Sequence, residues 1–370
     1  MSETRIPVAL GDRSHDIVIA NGALDHAGRH LAPFARDGRI VVVSDVNVME
    51  ALGARLLAGL AEHQLHGEPV VIPPGEPAKS WQGLAGLTNA LAELKVERGD
   101  TILAFGGGVV GDLAGLAASV FKRGIGVVQM PTSLLAMVDS AIGGKTGINI
   151  PQGKNLIGSF HQPPLILIDP SCLNTLPIRQ LRAGYAEVVK YGLIGDAAFF
   201  AWCEGNGEKL LARDKDTLTH AIETSARAKA AFVAADERET LGKRALLNLG
   251  HSFAHALEAE TGFSDKLLHG EAVAIGLALA FRFSVARGRC PVEDAERVEA
   301  HLRATGLPVR PGDIILDVKG SAIAAHMAAD KKASGGDLTL ILSRGIGDAF
   351  VEGGVKIGEV ADFLDRLDRG

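Results

Sequence analysis

His251 and His255 stand four residues apart in Gly250-His251-Ser252-Phe253-Ala254-His255, so a helix here puts both imidazoles on one face. Histidines at this spacing chelate zinc well. His269, in Leu268-His269-Gly270-Glu271, is a candidate third ligand that would leave one coordination position open for a substrate. Ser252 occupies the place where a zincin carries its glutamate, which argues against a metalloprotease. Upstream, Tyr185-Ala186-Glu187-Val188-Val189-Lys190-Tyr191 sets a carboxylate and an ammonium three residues apart on an otherwise apolar helix. A charge buried there needs a partner or a metal. Two readings stay open for these residues, a metal and acid–base site or a structural Glu–Lys pair beside core histidines.

A second set of residues suits a nucleotide. Phe105-Gly106-Gly107-Gly108-Val109-Val110-Gly111-Asp112 follows an apolar run and opens a helix, matching G-x-G-x-x-G at 106, 108 and 111. Glycines there let backbone N–H groups approach a pyrophosphate, and the helix N-terminus favours its charge. A tight βα turn without a ligand reads the same way. The motif also lies far from the first βα turn, which implies a departure from the standard dinucleotide-binding arrangement. Asp45, Gly75-Glu76-Pro77-Ala78-Lys79 and Thr132-Ser133 fall at other strand ends, as ribose or phosphate contacts or as turn formers and helix caps.

Gly143-Gly144-Lys145-Thr146 resembles the end of a P-loop, but the upstream glycine would fall on Asp139, so ATP binding is not indicated. Lys145 with Lys154 and Asn155 instead suits an anionic substrate. Arg123, Lys229, Lys243, Arg244, Lys331 and Lys332 are further cationic candidates, each of which taken singly reads better as a solvated surface charge.

The elements that must carry these residues fall into two kinds. Short runs at 40–43, 69–72, 101–105, 126–130 and 165–168 have the continuous apolar character of strands buried on both faces of a parallel sheet. Helical stretches such as 81–94 lie between them, so the first part reads as a doubly wound α/β domain, with ligands at the carboxyl ends of its strands. Beyond about residue 178 the spacing predicts helices over 181–192, 216–235, 245–260, 269–287 and 292–305, with a single strand candidate at 337–342. The expected division is 1–178, α/β and nucleotide-binding, and 179–370, mostly α-helical and metal- and substrate-binding.

Composition bounds the function. The 370 residues are 47% hydrophobic and 22% charged, as in a soluble globular protein, and suffice for two domains. A net charge of −6 disfavours nucleic acid as a partner. Three scattered cysteines exclude a disulfide scaffold. The N-terminus lacks a secretory h-region, and the apolar stretch 272–281 is too short to span a bilayer, so neither membrane nor export is expected.

Taken together, these motifs resemble the 3-dehydroquinate synthases, a family of sugar phosphate cyclases. The resemblance runs from about Asp45 to Leu342. It is carried by 106–113, 137–146, 183–190 and 247–256, and is completed by Leu268-His269-Gly270-Glu271-Ala272-Val273 and Asp330-Lys331-Lys332. It implies a Rossmann-like NAD-binding domain and an α-helical metal-binding domain, with the active site in the cleft between them. It further implies zinc, with cobalt as a substitute, on Glu187, His251 and His269. Lys145, Lys190, His255, Asn155, Arg123 and Asp139 take catalytic positions, while Lys229, Arg244, Asn248 and Lys331 or Lys332 bind substrate. NAD contacts fall on Asp45, Pro74, Gly75, Glu76, Lys79, Gly108, Val109, Val110, Gly111, Asp112, Thr132, Ser133, Lys145, Lys154, Cys172, Leu173, Asn174 and Thr175. The implied substrate is a sugar-acid phosphate, 3-deoxy-D-arabino-heptulosonate 7-phosphate, handled by a cytoplasmic homodimer. Ser133 stands where the family often has threonine, and one extra residue falls near Thr240-Leu241-Gly242-Lys243. A metal-dependent polyol dehydrogenase, a sibling cyclase and a non-catalytic NAD-sensing module are the alternatives.

Overall fold

The apolar runs form five neighbouring strands of a seven-stranded sheet. The computed structural model describes residues 3–240, 242–314, 319–330 and 337–367, and the chain divides into two units, Met1–Pro177 with Arg213–Arg238, and Ile178–Ala212 with Glu239–Gly370. In the first unit the strands are β1 (Glu3–Val8), β2 (His15–Ala20), β3 (Arg39–Asp45), β4 (His66–Ile72), β5 (Thr101–Gly106), β6 (Gly126–Pro131) and β9 (Leu165–Ile168). Their order is β1-β2-β9-β6-β5-β3-β4. Only β1 with β2 is antiparallel in this sheet; the other neighbours are parallel, as continuous apolar strands require. Pro69 is tolerated because β4 is an edge strand and that position needs no second ladder bond.

The helices Trp81–Glu93 and Gly108–Val120 cover one face. Leu84, Leu87, Leu113, Ala114, Ala117 and Ala118 bury themselves against Val41, Val43, Ile102, Ala104 and Val127. Each fully buried Leu or Val contributes about 1.5–3 kcal/mol by leaving water. A hairpin of β7 (Lys145–Ile150) and β8 (Gly153–Phe160) packs beside the Gly108–Val120 helix. It is a finding beyond the sequence reading, in which this glycine- and lysine-rich stretch has no strand periodicity.

The second unit is built on Ile178–Gly195, Ala197–Leu211, His251–Glu260, His269–Ala286, Val292–Ala304, Gly320–Asp330 and Ile357–Leu367, with a hairpin of β10 (Asp337–Ser343) and β11 (Ala349–Lys356). The expected helix over 245–260 is divided in the structure. A 3-10 turn spans Arg244–Asn248, Gly250 adopts a left-handed φ of 78°, and the α-helix begins at His251. Helix Ala197–Leu211 was not expected because Gly205 and Gly207 weaken its pattern. The His269–Ala286 helix is long and apolar enough to cross a membrane by length and composition, yet it is largely buried inside this unit.

Glycines set the spacing of three helices here. A Cβ on Gly270 would collide with the backbone of Ala183, and one on Gly250 would stand 2.6 Å from the backbone nitrogen of Leu277. Gly205, by contrast, is exposed, with nothing within 4 Å of the place a Cβ would take. Gly270→Ala is therefore expected to destabilise by about 1–3 kcal/mol through overpacking, whereas Gly205→Ala raises stability by about 0.5–1 kcal/mol through helix propensity. Equilibrium urea unfolding of both variants checks this; equal midpoints would contradict the close helix approach.

Candidate functional site

The order of the sheet explains why the glycine turn lies so far along the chain. From β3 the chain moves outward to β4, then returns past β3 to β5 and proceeds to β6. The strand order therefore reverses between β3 and β5, and a ligand crevice forms at the carboxyl ends of strands at such a point. Asp45 ends β3, Gly106 ends β5, and Thr132 follows β6. Each glycine of the turn has a steric reason. A Cβ on Gly106 would stand 2.5 Å from Val110, on Gly108 2.9 Å from Ser140 Oγ, and on Gly111 2.8 Å from Gln129 Oε1. No side chain caps the start of the Gly108–Val120 helix, so its first backbone N–H groups suit a pyrophosphate. Ser140 Oγ is buried beside Gly108 without a hydrogen-bond partner, an unsatisfied group that a ligand oxygen would satisfy. Sequence reasoning did not single out Ser140; its place one residue after Asp139 is the only signal.

The other nucleotide candidates of this unit separate into two kinds. Asp45 accepts from Val48 N at 3.0 Å, and Ser133 accepts from Ala136 N at 3.3 Å, so both cap helices. Pro74 and Gly75 form an exposed loop, with Gly75 at φ 85°. Val110 is buried against the sheet. Cys172 and Leu173 are buried in the Pro170–Thr175 turn, where burial pushes the Cys172 thiol far up and keeps it un-ionised, while Asn174 and Thr175 are exposed.

Lys79 organises the tip of the β7–β8 hairpin. It is buried and donates to Asp112 Oδ2 and to Asn155 Oδ1, each at 2.6 Å. Burial lowers its pKa, but Asp112 and Glu76 more than offset that and hold it up. Asn149 bridges the same cluster, donating to Glu76 at 2.8 Å and accepting from Asn155 N at 3.0 Å. Asn155 is held at φ 54°, a conformation that asparagine tolerates and that this network fixes. Lys154 lies 3.7 Å from Glu76. Lys229 is buried on the Lys215–Ala235 helix and reaches Asp139, at 2.7 Å to Oδ1 and 2.6 Å to its carbonyl. Lys145 starts β7 opposite Phe160, at the other end of the hairpin from this network. Arg123 is not brought to the glycine turn; it follows the far end of the Gly108–Val120 helix, exposed and at φ 69°.

In the second unit three side chains from three helices converge. Glu187, His251 and His269 place one potential ligand atom each within 4.8 Å of one another. Both histidines point Nε2 at Glu187 Oε1, at 3.7 Å and 3.5 Å. Their Nδ1 atoms are fixed from behind, His251 by Leu249 O at 3.2 Å and His269 by Glu258 Oε2 at 3.1 Å. Glu187 is completely buried, and neither carboxylate oxygen has a hydrogen bond of ordinary geometry, although Lys190 Nζ is ion-paired with Oε2. A buried carboxylate facing two imidazole nitrogens in this way is a donor set suited to zinc or cobalt.

Burial pushes His251 down to about 3, with the Lys190 ammonium adding to the effect. Burial would also lower His269, but Glu258 and Glu187 carry it up to about 10. Glu187 is held well below the usual carboxylate range, because Lys190 and the two histidines outweigh its desolvation. His255 stands beside the set, its ring centroid 5.6 Å from His251 and 6.3 Å from His269. Arg244 is buried and pairs with Glu239 at 3.3 Å, and Asn248 is exposed at the end of the same turn. Lys331 and Lys332 lie outside the described residues. Glu258 was not singled out from the sequence, although His251, His255 and Glu258 share one helix face at i, i+4 and i+7.

Comparison with known proteins turns this chemistry into a family. The family described as 3-dehydroquinate synthase N-terminal matches residues 69–183, and 3-dehydroquinate synthase C-terminal matches 184–333. A 3-dehydroquinate synthase of Caulobacter vibrioides is 52% identical over 361 residues, 97% of each chain. This chain belongs to the 3-dehydroquinate synthase family. Among solved structures, 2-epi-5-epi-valiolone synthase of Streptomyces hygroscopicus, with NAD+ and Zn2+ bound, has a TM-score of 0.88 at 32% identity and covers 98% of both chains. A 2-deoxy-scyllo-inosose synthase complexed with carbaglucose-6-phosphate, NAD+ and Co2+ has a TM-score of 0.84 over 98% of this chain and 100% of its own; at 23% identity it shows the fold alone.

For this member of the 3-dehydroquinate synthase family the protonation states give a metal-binding signature. At pH 7 His251 and Glu187 are already unprotonated, whereas His269 must lose a proton to ligate. Zinc uptake by the metal-free protein is expected to release about one proton per ion bound, read by calorimetry in buffers of different ionisation enthalpy. His269→Ala should bind no stoichiometric zinc by elemental analysis. Release near zero in the native chain, or retained zinc in the variant, would contradict the ligand set.

Proposed function

We propose that the chain is a 3-dehydroquinate synthase, converting 3-deoxy-D-arabino-heptulosonate 7-phosphate to 3-dehydroquinate and phosphate. The observation that carries this reading is near-full-length identity to curated 3-dehydroquinate synthases at about half of all positions. The sibling valiolone-type cyclase is markedly more distant in sequence. The net reaction oxidises nothing. A secondary alcohol is oxidised to a ketone, the acidified neighbouring carbon loses a proton as phosphate leaves the carbon beyond it, the ketone is reduced again, the ring opens, and the enolate so formed closes the carbocycle by an intramolecular aldol step.

NAD, when bound, supplies a hydride acceptor that each turnover regenerates, and zinc or cobalt, when bound, supplies a Lewis acid for the alcohol under attack. The chain's own residues do the rest. Gly108 to Asp112 present backbone donors to the pyrophosphate, with Asp45, Glu76, Lys79, Thr132 and Ser133 around the same strand ends. Glu187, His251 and His269 hold the ion. Lys190, already ion-paired beside them, is placed to stabilise an anionic oxygen. His255 stands next to the set at the less buried side of its helix and serves as a proton-transfer group toward the leaving phosphate. Lys145, Asn155, Asp139 with Lys229, Arg123, Arg244, Asn248 and Lys331 or Lys332 complete the binding of carboxylate, hydroxyl and phosphate groups. In this reading residues 1–178 form the NAD-binding domain and 179–370 the metal- and substrate-binding domain. The enzyme works as a cytoplasmic homodimer, which sedimentation would check.

A polyol dehydrogenase would use the glycine turn and the metal set alone. The lysines at 145, 154 and 190 favour a phosphorylated acid instead. Enzyme, heptulosonate phosphate and a trace of NAD are therefore expected to release phosphate in many-fold excess over NAD, with no lasting NADH absorbance. Stoichiometric NADH without phosphate would reject the cyclase. Lys145→Ala and Lys190→Ala are each expected to lose turnover by roughly two orders of magnitude or more, with NAD affinity retained in Lys190→Ala, since each loses a charge-assisted contact worth about 1.5–3 kcal/mol before any transition-state gain. Near-native kinetics in both would mean that the anion-binding groups are misplaced.

A further inference from the structure

Glu258 is buried, 2% exposed, on the same helix as His251, and neither the glycine turn nor the proposed ligand set uses it. A carboxylate removed from water is costly without a cationic or donor partner. Its Oε2 meets His269 Nδ1 at 3.1 Å. That contact settles the ring. With Nδ1 donating to Glu258, Nε2 is the ring nitrogen left to ligate, and it faces Glu187 Oε1, toward which His251 Nε2 also points. The two histidines are held unequally. His251 rests on a neutral backbone carbonyl, whereas His269 rests on an anion. His269 is also the first residue of its helix and the more exposed of the two, so backbone context alone fixes it less firmly.

We propose that Glu258 is a positioning residue for the divalent metal, fixing the tautomer and direction of His269 and strengthening that ring as a ligand. The inference rests on the assignment of Glu187, His251 and His269 to the ion. A carboxylate–histidine–metal relay puts a second negative charge next to a dication whose first carboxylate, Glu187, is already shared with Lys190. One short helix then contributes both a ligand, His251, and the group that orients another, one face supplying two of the constraints on the site.

The test is equilibrium metal affinity rather than turnover. Native protein, Glu258→Gln, Glu258→Ala and His269→Ala are stripped of metal, then titrated with Zn2+ against a chromophoric chelator and with Co2+ followed by visible absorption. Glu258→Gln is expected to weaken Zn2+ about 10-fold and Glu258→Ala about 100-fold, the range found for such outer partners. The Co2+ ligand-field bands should move in Glu258→Gln, and NAD affinity should not change. A purely structural carboxylate would leave the Co2+ bands where they are. Zn2+ affinity of Glu258→Gln within threefold of native, with an unaltered Co2+ spectrum, would overturn the proposal. Should the alanine variant fail to fold, the glutamine variant decides, since it keeps the size and an acceptor oxygen. Equal Zn2+ binding by native protein and His269→Ala would overturn the ligand set and this proposal together, whereas loss in His269→Ala with none in Glu258→Gln would overturn this proposal alone.

Discussion

A carboxylate with no access to water, Glu187, is the constraint around which the second unit is arranged. Its burial is tolerable only if positive charge or a metal stands against it, and the chain provides Lys190 one turn away on the same helix and two imidazoles from two other helices. To bring those helices within reach, the backbones must approach more closely than side chains permit. That is the physical meaning of Gly270 against Ala183 and of Gly250 against the His269–Ala286 helix. The apolar character of the latter helix follows as well, since a helix that carries a ligand at its first residue and lies within the unit has few polar positions to offer.

The first unit solves a different problem, the presentation of bare backbone. Gly106, Gly108 and Gly111 are each pressed against a neighbour, so small residues here serve packing and ligand approach at once. The hairpin of β7 and β8 brings Asn149, Lys154 and Asn155 to the end of the Gly108–Val120 helix that carries Asp112, and Lys79 ties them there. Lys79 is thus a hub of the local network, and its proposed contact with a nucleotide would come through the groups it orders.

Much of this was legible in the residues themselves. The five apolar runs are strands of the parallel sheet, and Glu187, His251 and His269 stood out by residue type, although helical spacing paired His251 with His255 whereas the residues that converge are Glu187, His251 and His269. What escaped has physical reasons. β1 is an edge strand with alternate residues exposed, and β8 carries Gly153 and Gly158 and is largely exposed, so neither has the continuous apolar signal of a buried strand. The start of the His251 helix was displaced because a left-handed glycine looks like an ordinary helical position in a periodicity count. Ser140 and Glu258 matter through what they touch, and neighbours of that kind are set by tertiary packing rather than by spacing.

The segment Arg213–Arg238 returns to the first unit after the chain has begun the second. On the ribosome, residues 1–177 therefore emerge without the helix whose Lys229 meets Asp139, and the first unit is covalently whole only when residue 238 has been made. Two architectures that look like beads in sequence are interleaved in synthesis. An ancestral fusion of two free-standing modules would have left one crossing between them, and this chain has three.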